Sequence, residues 1–194
     1  MGSGKSQVAE AFRRRGARVI SGDGLGHEGL LDPTIKEKVV SRWGPGILAD
    51  DGQIDRRKFG AVVFADPAEL KALEALLHPY IERRFVREVK RAWDEGVALV
   101  VLDAAVMLEA GWNNVCDKIV YVHAPRPARL ARLAAQRGWD AAQVAARERV
   151  QLPLTEKATR ADAAVDNSGP FEQTLRQVDA LLARWALPTG PGIA

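Results

Sequence analysis

The 194-residue chain carries a single cysteine, Cys116. That excludes an intramolecular disulfide framework and a cysteine-based zinc site. It stands in "NNVCDKIVYV", ahead of an apolar run, and reads as a small core residue. Aromatic residues make up only 6% of the chain. No basic stripe is interleaved with them, so a surface that stacks nucleic-acid bases is not expected. Long apolar runs are missing too: nothing approaches the roughly 20 residues that a membrane span requires. The opening is polar and glycine-containing, without the basic and then apolar blocks of a secretory leader, and a cytoplasmic location is expected. Neither sign of charge dominates: 28 Lys and Arg against 25 Asp and Glu leave a net charge of +3, with a pI of about 9.2. This mild basicity suits an anionic small molecule. With 47% hydrophobic and 27% charged residues, the composition is that of a globular protein with one substantial core. A monomer or weak homo-oligomer is expected.

What is present is an alternation of strands and helices. The runs "ARVIS" (17–21), "VALVVLD" (97–103), "KIVYVHA" (118–124) and "AAVD" (163–166) read as strands. The second and third are uniformly apolar, the pattern of buried parallel strands covered by helices. Helices are expected from Lys5 to Arg15, with Val8, Ala9 and Phe12 on one face, and over "LDPTIKEKVVSRW", with Asp32 as N-cap and Pro33 at the first turn. "ADPAELKALEALLHP" repeats that device with Asp66 and Pro67, Glu69 completing a capping box and Leu70, Leu73 and Leu77 forming a stripe. A separate helix from Tyr80 to Glu95 places Ile81, Phe85, Val89 and Trp93 four apart. Arg126–Arg137, Ala141–Val150 and Pro170–Trp185 complete the set, the last capped by Ser168. The tail "LPTGPGIA" is expected to fray. The pattern predicts an α/β fold with a parallel sheet and a helical insertion between the first two strands.

The chemistry begins at "MGSGKS". This is the second half of a G-x-x-x-x-G-K-[ST] phosphate loop, whose first glycine would fall two positions before Met1. Such a loop works because backbone N–H groups converge on phosphate oxygens at a helix N-terminus. Lys5 would reach the β- and γ-phosphates and the Ser6 hydroxyl a Mg²⁺ ion. A strand ending in aspartate is the expected second part, and "VALVVLD" delivers Asp103 to the carboxyl end of the sheet, as the metal-positioning carboxylate. Asp23 in "RVISGDGLGHE" follows the other strand, where a carboxylate can take the proton of an attacking hydroxyl; a turn-forming aspartate is the alternative. The arginines of "RPARLARLAAQRGWD" and "AARERVQ" supply cations for a triphosphate: Arg129, Arg132, Arg137, Arg147 and Arg149, with Arg137 and Arg147 favoured. Together these parts predict an ATP- and Mg²⁺-dependent phosphotransferase.

The acceptor is suggested by a resemblance. The stretch "GQIDRRKFGAVVFADPAELKALEALLHPYI" (52–81) resembles the acceptor-side helical region of the dephospho-CoA kinases. "VVLDAAVMLEAGW" (100–112) is similar to that family's strand leading into D-x-P-L-L-F-E. "RLAAQRGWDAAQVAARERVQLPLTEKATRADAAVDNSG" (132–169) is similar to its lid and closing A-D…D-N-S-G segment. The likeness covers nearly the whole chain in order. It implies a P-loop NTPase-like three-layer α/β/α fold, a single kinase domain over 1–194 with a dephospho-CoA-binding helical insertion at 24–96 and a lid at 126–152. It implies that Gly2, Ser3, Gly4, Lys5 and Ser6 hold the ATP phosphates. By the same likeness Asp23 is the general base, Arg56, His78 and Pro79 shape the acceptor side, and Glu109 belongs with Asp103. Arg137 and Arg147 fall on lid arginines, and Asn167 on a position near the adenine. The implied reaction is transfer of the γ-phosphoryl of ATP to the ribose 3′-hydroxyl of dephospho-CoA.

The chain departs from the family pattern in places. Ser21 replaces the first aspartate of D-A-D, Ala105 replaces the proline of D-x-P, and Gly138 follows Arg137 where the lid has R-D. The family opens with a strand running into T-G-G-x-G-S-G-K-S, so translation is expected to start upstream, with Met1 as the variable loop residue. The competing readings are another P-loop kinase, for a nucleoside monophosphate or sugar acid, and a catalytically impaired nucleotide-binding protein.

Overall fold

The computed structural model describes residues 1–187; residues 188–194, which hold most of the tail expected to fray, lie outside the described residues. The chain forms two compact units, one of Met1–Ile20 with the chain from Glu88 onward, the other of Ser21–Arg87.

In the first unit, helix α1 (Lys5–Arg13) buries Val8, Ala9, Ala11 and Phe12, the face predicted by their spacing. Strands β1 (Arg18–Ser21) and β2 (Val100–Asp103) pair with one another, as do β3 (Val120–His123) and β4 (Ala163–Asp166). The β3–β4 pair is parallel, with Val120 opposite Ala163 and His123 opposite Asp166. No described strand joins the two pairs by hydrogen bonds. One apolar core nevertheless serves both: Val8 and Phe12 of α1 and Val178, Leu181 and Leu182 of α9 (Phe171–Arg184) pack with Val101, Val120, Val122 and Val165. The strands are shorter than their apolar runs, and β2 is half-buried along its length instead of fully covered. Helices α6 (Arg126–Arg137), α7 (Ala141–Glu148) and α8 (Leu154–Thr159) lie between β3 and β4 in the chain.

The second unit is helical: α2 (Gly22–Leu31), α3 (Pro33–Trp43), α4 (Arg56–Val63) and the first part of α5 (Pro67–Asp94). Its core joins Ile35, Val39, Phe59 and Val63 to Leu70, Leu73 and Leu77, so the leucine stripe packs as expected. Asp32 caps α3 by accepting from the Thr34 and Ile35 amides at 3.0 and 3.2 Å.

Several local expectations are corrected. "GDGLGHEGLL" is helix α2, and Gly29 serves close packing: a Cβ there would stand 2.9 Å from Leu77 Cδ2 and 3.1 Å from Tyr80 Cδ1. Helix α5 is one helix of 28 residues that runs through Pro79. The proline lacks the N–H that the Ala75 carbonyl would accept, yet burial of the leucines and of Ile81 and Phe85 on either side outweighs that loss. Trp93 does not continue the buried stripe; it is 82% exposed and Ala92 takes the inward position, because a spacing of four drifts around a helix of 3.6 residues per turn. Glu69 forms no capping box. It accepts from the Arg42 guanidinium at 3.0 Å and the Trp43 indole at 2.6 Å, and the Arg42 bond holds its carboxyl below the usual range. Ser168 does not cap α9; its amide donates to the Asp166 carboxylate instead, at 3.0 Å.

Candidate active site

The "GSGKS" segment is a tight loop feeding α1. Gly4 is the N-cap with φ 81°, a left-handed conformation costly for any residue with a Cβ. Gly2, φ 71°, is equally restricted, since a Cβ there would lie 2.7 Å from the Arg129 carbonyl oxygen. Both glycines thus permit close approach of the loop to α6 and to Asn167. Lys5 and Ser6 follow in the first turn of α1, where free N–H groups and the helix dipole favour an anion.

Ser6 Oγ donates a 2.8 Å hydrogen bond to Asp103 Oδ2. The C-terminal end of β2 and the first turn of α1 therefore bring together the two residues expected at the metal. A hydroxyl and a carboxylate are hard oxygen donors. They fit Mg²⁺, which keeps several waters and is completed by substrate phosphate oxygens. Among the described residues no group of three or more His, Cys, Asp or Glu could hold an ion by itself.

Asn167, at the end of β4, is fully buried. Its Nδ2 donates to the carbonyl oxygen of Ser3 at 2.9 Å and to Gln7 Oε1 at 3.1 Å, with Gly4 O at 3.4 Å. Thr174 of α9 donates from its hydroxyl to Asn167 Oδ1 at 3.0 Å. Arg132 reaches the same place, donating to Ser3 O at 3.3 Å and to Asn167 O at 2.7 Å. Sequence reasoning counted Arg132 among the cations without favouring it and missed Thr174, for which seven-residue separation from Asn167 carries no signal.

The favoured arginines lie elsewhere. Arg137 and Arg147 stack on Trp139, their guanidinium carbons 4.9 and 4.1 Å from a ring of the indole, and Arg147 also donates to the Gln143 carbonyl at 3.2 Å. Arg129 is buried and donates to Glu148 and to the carbonyl of Met1. Burial opposes the charge of Glu148, but the hydrogen bond and charge of Arg129, with Arg126, hold its carboxyl below the usual range. Glu109 accepts from the Leu152 amide at 3.0 Å and pairs with Lys157 at 2.6 Å. That lysine also donates to the Ala105 carbonyl at 2.9 Å, tying the segment after β2 to α8. Cys116 is half-buried, and burial with the nearby Asp117 charge raises its thiol pKa.

In the second unit, Asp23 is exposed in the first turn of α2, a helix capped by Ser21 Oγ accepting from the Gly24 amide at 3.1 Å. His27, one turn later on the same face, feels burial first, then the Arg56 charge, both lowering its pKa against the opposite pull of Asp23. Sequence reasoning passed over His27. Arg56 opens α4 behind the N-cap Asp55. His78, half-buried in α5 beside the exposed Pro79, has its pKa lowered by burial.

The family model described as Dephospho-CoA kinase matches residues 1–173. The chain belongs to the dephospho-CoA kinase family. A dephospho-CoA kinase of Symbiobacterium thermophilum is 39% identical over 92% of this chain and 75% of that one. Another, of Carboxydothermus hydrogenoformans, is 35% identical over 94% and 89%. The crystal structure of TT1252 from Thermus thermophilus superposes with a TM-score of 0.78 at 36% identity, covering 95% of this chain and 93% of that one. The dephospho-CoA kinase from Campylobacter jejuni, 24% identical with a TM-score of 0.66, covers 96% and 95% and shares the fold. The α/β architecture of a P-loop NTPase is thus that of the dephospho-CoA kinase family.

Proposed function

We propose that this chain transfers the γ-phosphoryl group of ATP to the ribose 3′-hydroxyl of dephospho-CoA, forming coenzyme A and ADP. The observation that carries the reading is the 2.8 Å contact of Ser6 Oγ with Asp103 Oδ2 beside a left-handed Gly4 at the start of α1. That pair of oxygen donors supports a nucleotide–Mg²⁺ site, in a chain of this family. Bound Mg²⁺ would neutralise charge on the phosphate oxygens.

In this mechanism the amides of Gly2 to Ser6 and the Lys5 ammonium bind the phosphates, and Ser6 with Asp103 would hold the ion. Asp23 accepts the 3′-hydroxyl proton as the ribose oxygen bonds to the γ-phosphorus. The bond from that phosphorus to the β,γ-bridging oxygen breaks, and ADP leaves. Arg137 and Arg147 neutralise developing charge as lid residues over 126–152. Arg56, His78, Pro79 and Glu109 orient dephospho-CoA, mostly within the helical segment 24–96; these roles rest on the motif match. Among the described residues no helix is long and apolar enough to cross a membrane. We assign a cytoplasmic enzyme, monomeric or weakly self-associating, with no nucleic-acid partner.

The test is a substrate panel with ATP and Mg²⁺. Dephospho-CoA is expected to yield ADP and coenzyme A by mass spectrometry, while nucleoside monophosphates and sugar acids do not. Turnover of a nucleoside monophosphate without turnover of dephospho-CoA would overturn the assignment.

A further inference from the structure

The buried amide of Asn167 faces backbone oxygens of the loop. In a trans peptide the carbonyl of one residue and the N–H of the next point in opposite directions, and no peptide bond is cis among the described residues. Holding the Ser3 carbonyl toward Asn167 and Arg132 therefore turns the Gly4 N–H the other way. Arg129 does the same one turn of loop earlier: by donating to the Met1 carbonyl at 3.1 Å it sets the direction of the Gly2 N–H. Two of the loop's carbonyls, those of Met1 and Ser3, are thus held by side-chain donors, and the Gly2 and Gly4 amides point away from those donors.

The clamp is itself fixed. Asn167 and Thr174 are 0% and 1% exposed, and the Thr174 hydroxyl on Oδ1 determines which end of the amide meets the loop. Both amide hydrogens of Asn167 already have acceptors in Ser3 and Gln7. Arg132 bridges the Ser3 and Asn167 carbonyls, so strand, helix and loop close into one network. The absence of a Cβ on Gly4 is what admits the Asn167 amide.

We propose that Asn167, oriented by Thr174, and Arg132 are positioning residues that preorganise the Gly2–Ser6 loop for the polyphosphate of ATP before the nucleotide arrives. The inference rests on the assignment of that loop to ATP. Preorganised donors need no rearrangement on binding, so loosening them weakens nucleotide affinity first.

The test measures ATP affinity by calorimetry and both Michaelis constants for the parent and variants. Asn167→Asp keeps shape but sets an oxygen against the acceptors of Ser3 and Gln7; ATP Kd and KM are expected to rise about tenfold or more. Arg132→Gln is expected to do so by about tenfold and Arg132→Lys, which keeps a charged donor, by less. Thr174→Val should give a smaller rise, and the KM for dephospho-CoA should stay within about twofold of the parent, because Asn167 and Arg132 make their bonds to the loop. A merely structural role would lower the folded fraction, and with it kcat, without moving Kd. Should Asn167→Asp not fold, the half-buried Arg132 variants carry the same expectation. Folded variants that bind ATP as the parent does would overturn the proposal. A parent that binds no ATP would overturn it together with the ATP assignment. A parent that binds ATP but ignores dephospho-CoA would remove the acceptor assignment alone, and the variant Kd values would still decide this one.

Discussion

Ser6 and Asp103, 97 positions apart in the chain, meet through a 2.8 Å hydrogen bond from hydroxyl to carboxylate. In the proposed site these two oxygen donors would share one ion and act as a unit, so their losses should not add. Ser6→Ala and Asp103→Ala are each expected to lower kcat by about a hundredfold or more, as removal of transition-state charge stabilisation does. The double variant should be little worse than the poorer single one. Initial rates across a Mg²⁺ titration check this, and fully additive losses would separate the two residues.

Asp23 stands exposed in the first turn of α2. As the proposed base it would take part only when the acceptor hydroxyl reacts. Asp23→Asn is therefore expected to reduce kcat by about 10²- to 10⁴-fold while ATP affinity stays at the parent value. Steady-state rates beside calorimetric ATP binding separate the two effects, and full-speed coenzyme A production would remove the base from Asp23.

Glycines with positive φ divide into two kinds. At Gly4 a Cβ would overlap the Asn167 amide, whereas at Gly44, φ 78°, nothing lies within 4 Å. Gly44→Ala should then cost only backbone strain, about 1–2 kcal/mol. Gly4→Ala adds displacement of Asn167 and should also abolish measurable ATP binding. Denaturant unfolding and nucleotide calorimetry on the two variants test the difference.

The parts of the fold that were legible in sequence are those governed by local patterns. The Asp32–Pro33 cap, the buried face of α1 and the Leu70–Leu73–Leu77 stripe follow from side-chain chemistry and helix period alone. Helix α2 was hidden because its glycines mimic turn signals, and of these Gly29 is explained only by its proximity to Leu77 and Tyr80. The continuity of α5 through Pro79 was hidden for the converse reason: tertiary burial overrode a local breaker. At the site, the residue types of the Ser6–Asp103 contact were readable, but the network of Asn167, Thr174 and Arg132 was not. Its members come from β4, α9 and α6, and their only common feature is where the fold brings them.

Burial of two titratable groups gives the protein a pH response near neutrality. Burial lowers the pKa of the half-buried His78, against the upward pull of Glu74, and lowers that of the Met1 amine from 8.0 to about 6. In the unfolded chain the imidazole titrates at about 6.5 and the terminal amine at about 8. As pH falls through those values the unfolded state takes up protons that the folded state still refuses, so stability declines from there down toward the folded pKa values. The carboxylates act later: Glu148 and Asp179, the latter held down by its hydrogen bond from Arg15, lie below their ordinary values of 4.5 and 3.8. Their contribution is complete above those values and is lost only in stronger acid. Between about pH 7.5 and 5.5 the falling denaturation midpoint should therefore follow the Met1 amine and His78. His78→Gln is expected to flatten part of that slope, read from urea midpoints at each pH. An unchanged slope would place the pH response outside His78.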